Sequence, residues 1–186
     1  MQAILEAVSS GNLPAEPRLV ICNNSGAKAL ERARNAGIPA LHMSTVTHPG
    51  EGELDDAMTS AMQAHAVEVV VMAGYMRKVG PRMLRTYHRR IVNIHPALLP
   101  RHGGQGMFGI HVHEAVIAAG EKETGATVHL ADEEYDRGPI LAQWRVPVLD
   151  GDTPETLQAR VLETEHRLYP ETLRRIALGE IELNAL

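Results

Sequence analysis

Apolar residues recur along this chain with two different spacings. Short runs with little polar interruption occur at Leu19–Cys22, Ile38–Met43, Glu68–Met72, Ile91–Ile94, Ala126–Ala131 and Ile140–Val146. Runs of this length bounded by turn residues predict strands buried in a sheet. Between them the spacing becomes helical. Met1–Gly11 puts Ile4, Leu5 and Val8 on one side, and Ala27–Asn35 ends before Gly37. Further helices are expected at Glu51–His65, Met83–Tyr87, His113–Ala119 and Pro154–Leu178, the last broken or kinked at Pro170. Short apolar strands alternating with amphipathic helices predict an α/β fold, a doubly wound, mostly parallel sheet with helices on both faces. With no repeat, low-complexity tract or linker, residues 1–186 read as one domain.

In such sheets ligands bind beyond the carboxyl ends of the strands. The loops after Met72, Ile94 and Ala131 are therefore the places to look for chemistry. The stretch R-I-V-N-I-H-P-A-L-L-P-R-H-G-G begins as a buried strand, yet Asn93 and His95 stand two apart at its end. Residues at i and i+2 of a strand share a face. An amide N–H beside an imidazole is a donor pair suited to a developing oxyanion, or simply a hydrogen-bonded strand end. Asp136 follows another strand, in E-E-Y-D-R-G-P. A carboxylate reaching His95 would raise the imidazole pKa and fix its orientation, although Asp before Arg-Gly-Pro is also ordinary turn chemistry.

Two other patterns invite chemistry and carry less. Gly104–Gly109 spells G-x-G-x-x-G, but Pro96, Pro100, Arg101 and His102 separate it from the strand that a dinucleotide fingerprint requires, so a lid or substrate loop is the better reading. His102, His111 and His113 lack a cysteine partner or an H-E-x-x-H frame, so they do not read as a metal site. Aromatic residues at 3% argue against a base-stacking surface, and a net charge of −5 supplies no field for nucleic acid or anionic lipid. A single cysteine, Cys22, excludes an internal disulfide and fits a reducing cytoplasm. Neither a signal peptide nor a membrane span is expected.

Five stretches then stand together: V-V-V-M-A-G-Y-M-R (69–77), N-I-H-P-A-L-L-P (93–100), G-I-H-V-H-E-A (109–115), G-A-T-V-H-L-A-D-E-E-Y-D-R-G-P-I (125–140) and T-E-H-R-L-Y-P (164–170). In order and spacing the chain resembles the folate-dependent formyltransferases from about residue 1 to residue 183. Within that family it is most similar to the members that formylate glycinamide ribonucleotide (GAR) in purine biosynthesis. The resemblance implies a Rossmann-like formyltransferase fold, with 10-formyltetrahydrofolate as co-substrate and no metal. It implies that Asn93 and protonated His95 stabilise the tetrahedral oxyanion, with Asp136 keeping His95 charged and oriented. His95 would also relay a proton toward the leaving folate nitrogen. Folate would be bound by Met76, Arg77, Lys78, Val79 and Asn93 with the backbone of Ala131, Asp132, Glu133, Glu134 and Tyr135. Glu165 would hold the amine end of GAR. The implied partners are thus GAR and folate, with no nucleic acid and no membrane; a homodimer is left open.

Two departures from the family pattern raise alternatives. Thr47–Asp56 (THPGEGELDD) is acidic where a basic residue for the folate tail is expected. The family also begins with an apolar strand and a phosphate-holding loop, whereas this chain starts at M-Q-A-I-L, so the domain reads as N-terminally truncated. An impaired or non-catalytic member that binds folate or a partner is the competing reading. A dinucleotide-dependent oxidoreductase is a distant third.

Overall fold

The computed structural model describes residues 1–183; the last three residues of the expected domain lie outside the described residues. In chain order the elements are α1 (Gln2–Ser9), β1 (Val20–Cys22), α2 (Lys28–Asn35), β2 (Ala40–His42), α3 (Glu53–Ala64), β3 (Val70–Met72), α4 (Pro81–Thr86), β4 (Ile91–His95), α5 (Ile110–Ala118), β5 (Glu123–Leu130), β6 (Ile140–Pro147) and α6 (Pro154–Ala177). The strands form a pair β1-β2 and a four-stranded sheet β3-β4-β5-β6. β1–β2 and β3–β4 are parallel, joined through α2 and α4 as βαβ connections demand. β5 then runs antiparallel to both β4 and β6, the latter pair being joined by a short direct connection. The α/β expectation holds, with its parallel part confined to β1–β4. The edges of β1 and β3 away from their partners have no strand beside them among the described residues.

Two apolar clusters hold these pieces. The larger joins Val92, Ala126, Val128 and Leu130 of the sheet to Leu157, Val161, Leu168, Tyr169 and Leu173 of α6. The smaller gathers Met58, Val70, Val79, Met83, Tyr87 and Ile91, with Ile21 and Met43 packed against it. The β1–β2 pair thus shares a core with the larger sheet without sharing its hydrogen bonds. No helix among the described residues is long and apolar enough to cross a membrane.

Local chemistry accounts for several boundaries. α6 starts at a reciprocal cap: Thr156 N–H donates to Thr153 Oγ1 (3.3 Å) and Thr153 N–H to Thr156 Oγ1 (2.9 Å), with proline opening the helix. α6 runs through Pro170, so of the expected break or kink the break does not occur. The proline's missing N–H removes one backbone bond, but Leu168, Tyr169, Thr172 and Leu173 are buried on both sides of it and keep the helix running. The acidic stretch that runs into α3 also finds a structural use. Asp55 accepts from the N–H groups of Arg82 (2.7 Å) and Met83 (3.1 Å), capping α4 from another helix. Asp56 pairs with Arg82 at 3.0 Å, and Glu53 accepts from Gly50 N–H.

Tyr169 ties α6 to the site's strands. Its hydroxyl lies 3.0 Å from the Met72 carbonyl and 2.8 Å from that of Val92, with one proton shared between the two. Tyr169→Phe is expected to lower stability by about 1–2 kcal/mol, because the ring still fills the core while the buried carbonyls lose their donor. A reduced urea midpoint at unchanged slope is the expected readout; an unchanged midpoint would show that this bond contributes nothing net.

Candidate active site

β4 and β5 set the site through their register. Asn93 pairs with His129 and His95 with Thr127, so all four side chains share one face while Val92, Val128 and Leu130 turn to α6. The β5–β6 ladder slips at Val128/His129, an irregularity of the kind that re-aims a side chain beside a functional centre. The loop Ala131–Pro139 then carries Asp136 back over this face. Gly138 permits that return, since a Cβ there would overlap the Leu130 carbonyl oxygen. Asp136 itself sits at φ 57°, the left-handed region that aspartate tolerates better than most residues.

Asp136 ends between two imidazoles. Its Oδ2 lies 3.5 Å from His95 Nδ1 and its Oδ1 3.5 Å from His129 Nε2. Oδ2 also accepts from Gly104 N–H at 2.9 Å. His95 is only 4% exposed, so this is an interaction away from bulk water. The other His95 nitrogen, Nε2, donates to the His102 carbonyl at 2.8 Å. His102 is in turn anchored by its Nε2 to Glu121 (3.2 Å), which also takes Arg101 (2.9 Å). Beneath His95, Thr127 Oγ1 donates to the Ala97 carbonyl (2.6 Å) and accepts from Leu99 N–H (3.1 Å), while Gln143 donates to the Leu99 carbonyl (2.9 Å). The segment after His95 is clamped from both sides.

The electrostatics run in opposed directions. Burial pulls the His95 imidazole below its ordinary pKa, and Asp136 and the His102 carbonyl push back without fully compensating. The expectation that Asp136 keeps His95 charged is thereby modified: Asp136 favours the imidazolium, but desolvation is the larger effect. For Asp136, burial raises the carboxyl, yet His129, His95 and Gly104 N–H together hold it below its ordinary value. Glu165 lies one helical turn before Tyr169, on the same side of α6. Burial pushes its carboxyl up to about 7, opposed by the Met1 amino group.

Asn93, His95 and Asp136 are therefore brought together as expected. The segment after β3 divides: Met76, Arg77 and Lys78 are exposed, whereas Val79 is buried in the smaller cluster and can offer a ligand only backbone. Asp132, Glu133, Glu134 and Tyr135 form an exposed turn, with Asp132 accepting from Glu134 N–H, and Ala131 bonds through its N–H to the Ile91 carbonyl. The two loops adjoin, since the Tyr75 phenol, raised by burial, also senses Arg77, Asp55 and Tyr135. His129, the Gly104 N–H and the His102 carbonyl are the participants that sequence reasoning missed. Strand alternation from His129 to Thr127 was the available signal, but it needs the β4–β5 register to acquire meaning. The G-x-G-x-x-G loop carries Gly104, Gly106 and Gly109 at positive φ and leads into α5, far down the chain from the end of β4. His111 bonds Glu114 and His113 is buried within α5, so neither joins His102.

Comparison with known proteins agrees with this geometry. The formyl transferase family model matches residues 1–173. The chain is 39% identical over 175 residues to the chloroplastic phosphoribosylglycinamide formyltransferase of Vigna unguiculata, covering 94% of this chain and 56% of that protein. To the Haemophilus influenzae phosphoribosylglycinamide formyltransferase it is 36% identical, covering 98% of this chain and 84% of the relative. The crystal structure of glycinamide ribonucleotide transformylase 1 from Symbiobacterium toebii superposes with a TM-score of 0.90 at 43% identity, covering 97% of this chain and 84% of that one. The chain thus spans little more than half the length of its plant relative. These matches overturn the oxidoreductase alternative, and the chain belongs to the formyl transferase family.

Proposed function

We propose that this chain transfers the formyl group of 10-formyltetrahydrofolate to the amine of glycinamide ribonucleotide, acting as one catalytic domain of purine biosynthesis. The observation that carries the reading is a half-buried carboxylate placed between His95 and His129 beside Asn93, in a member of this family whose relatives bear that activity in their names. The amine nitrogen attacks the formyl carbon, forming a C–N bond and placing negative charge on the formyl oxygen. Asn93 donates to that oxygen. His95 supplies the second donor when its Nε2–H exchanges the His102 carbonyl for substrate. Collapse breaks the bond to the folate nitrogen, which gains one proton as the attacking amine loses one. Water carries that proton between the two nitrogens, with His95, whose imidazolium form Asp136 favours, as the relay.

Exposed Met76 and Tyr135, 57% and 40% accessible on adjoining loops, offer apolar surface to the flat folate ring, with Arg77 and Lys78 beside them for its acidic tail. Glu165 holds the amine end of the nucleotide. In this reading the protein works in the cytoplasm, where Cys22 remains a free thiol.

Formyl transfer followed by absorbance of the deformylated folate tests the function, and absence of turnover with saturating substrates would contradict it. Asn93→Ala is expected to lower kcat by about 10²–10³ with folate affinity nearly unchanged, the cost typical of one oxyanion donor. Near-normal kcat would remove Asn93 from the chemistry. Glu165 supplies a pH test. Above about 7 its carboxyl is ionised and attracts the substrate ammonium; below that it is neutral. Nucleotide affinity is therefore expected to weaken as pH falls from 8 to 6, by up to about tenfold per unit. Glu165→Gln should bind weakly and without that slope, and an identical pH dependence in the variant would exclude Glu165 as the amine's partner.

A further inference from the structure

An amide serves as an oxyanion donor only if its nitrogen, not its oxygen, occupies the right side. At Asn93 the deciding neighbour is His129, which is 1% exposed and so takes its partners from the protein. His129 Nδ1 lies 2.9 Å from the Leu130 carbonyl oxygen. A carbonyl can only accept, so Nδ1 carries the proton. In the neutral ring Nε2 is then a bare acceptor, and it lies 3.1 Å from Asn93 Nδ2. The Asp136 Oδ1 is more distant, at 3.5 Å, and is itself an acceptor. An amide nitrogen against a bare Nε2 is a hydrogen bond, whereas an amide oxygen there would oppose two lone pairs. The opposite tautomer would leave a lone pair on Nδ1 against the Leu130 carbonyl and turn the Asn93 amide over.

We propose that His129 is a positioning residue: as its Nδ1–H tautomer it fixes the Asn93 amide with the nitrogen on the β5 side, leaving the second N–H of that nitrogen free for the substrate. The catalytic consequence rests on the formyl-transfer reading; the hydrogen bond does not.

Two measurements test this. In the unmodified protein at neutral pH, two-bond proton–nitrogen correlations of the His129 ring should show Nδ1 protonated and Nε2 bare, with a scalar coupling across the hydrogen bond to Asn93 Nδ2. An Nε2–H tautomer or a doubly protonated ring would overturn the proposal. This spectrum reads the same whether or not the protein transfers formyl groups, so failure of the assignment and failure of the proposed function are distinguishable. For the kinetic consequence, His129→Leu removes the acceptor, while His129→Gln can return one through its Oε1. His129→Leu is expected to lower kcat about tenfold at nearly constant folate KM, with His129→Gln recovering most of the loss. In an Asn93→Ala background neither change should lower kcat further, because the effect acts through that amide. Equal losses in both backgrounds would overturn the proposal.

Discussion

A carboxylate enclosed between two imidazoles is the constraint around which this protein is arranged. Asp136 cannot be solvated there as in water, so its charge must be met locally: the Gly104 N–H donates to it, and the His95 and His129 imidazoles flank it at 3.5 Å. Supplying them requires three chain segments to converge. The β4–β5 register brings Asn93, His95, Thr127 and His129 to one face, and the return from β5 to β6 places the carboxylate over it. The segment from Ala97 to Gly104, clamped by Thr127 and Gln143, supplies the backbone donor and the carbonyl that engages His95. Even the left-handed backbone at Asp136 follows, as local strain accepted to aim one side chain.

The balance between burial and pairing gives the site its chemical character. A fully solvated histidine beside an aspartate would simply become more basic. Here burial outweighs the carboxylate, so His95 is poised on the neutral side of its ordinary behaviour with a negative charge 3.5 Å away. Such a pair can take up a proton as charge develops and release it again, without either form being trapped. Glu165 shows the complementary tuning, a carboxyl raised toward neutrality by burial at one side of α6.

Much of this was legible in the sequence. The alternation of apolar runs and helical spacing located the six strands and six helices found among the described residues, with boundaries shifted by a few residues. The polar interruption at Asn93 and His95 identified the strand end that carries the chemistry. The antiparallel β5 and β6 were not legible, because an apolar strand carries no mark of its direction. His129 was hidden for a related reason: within V-H-L it looks like a core histidine until the register sets it opposite Asn93. The structural use of the acidic stretch that runs into α3 was not legible either. Asp55 caps a helix from a distance of 27 residues along the chain, which no local pattern announces. Pro170 shows the limit of a local rule when the flanking residues are buried.

The central claim is that the Asp136 carboxylate governs protonation of His95 against the pull of burial. The direct measurement is the His95 imidazole pKa, followed by nuclear magnetic resonance titration in the unmodified protein and in Asp136→Asn, with spectral dispersion confirming that both are folded. Because the carboxylate stabilises the imidazolium, its removal should lower the His95 pKa further. A pKa that stays the same, or rises, would contradict the account.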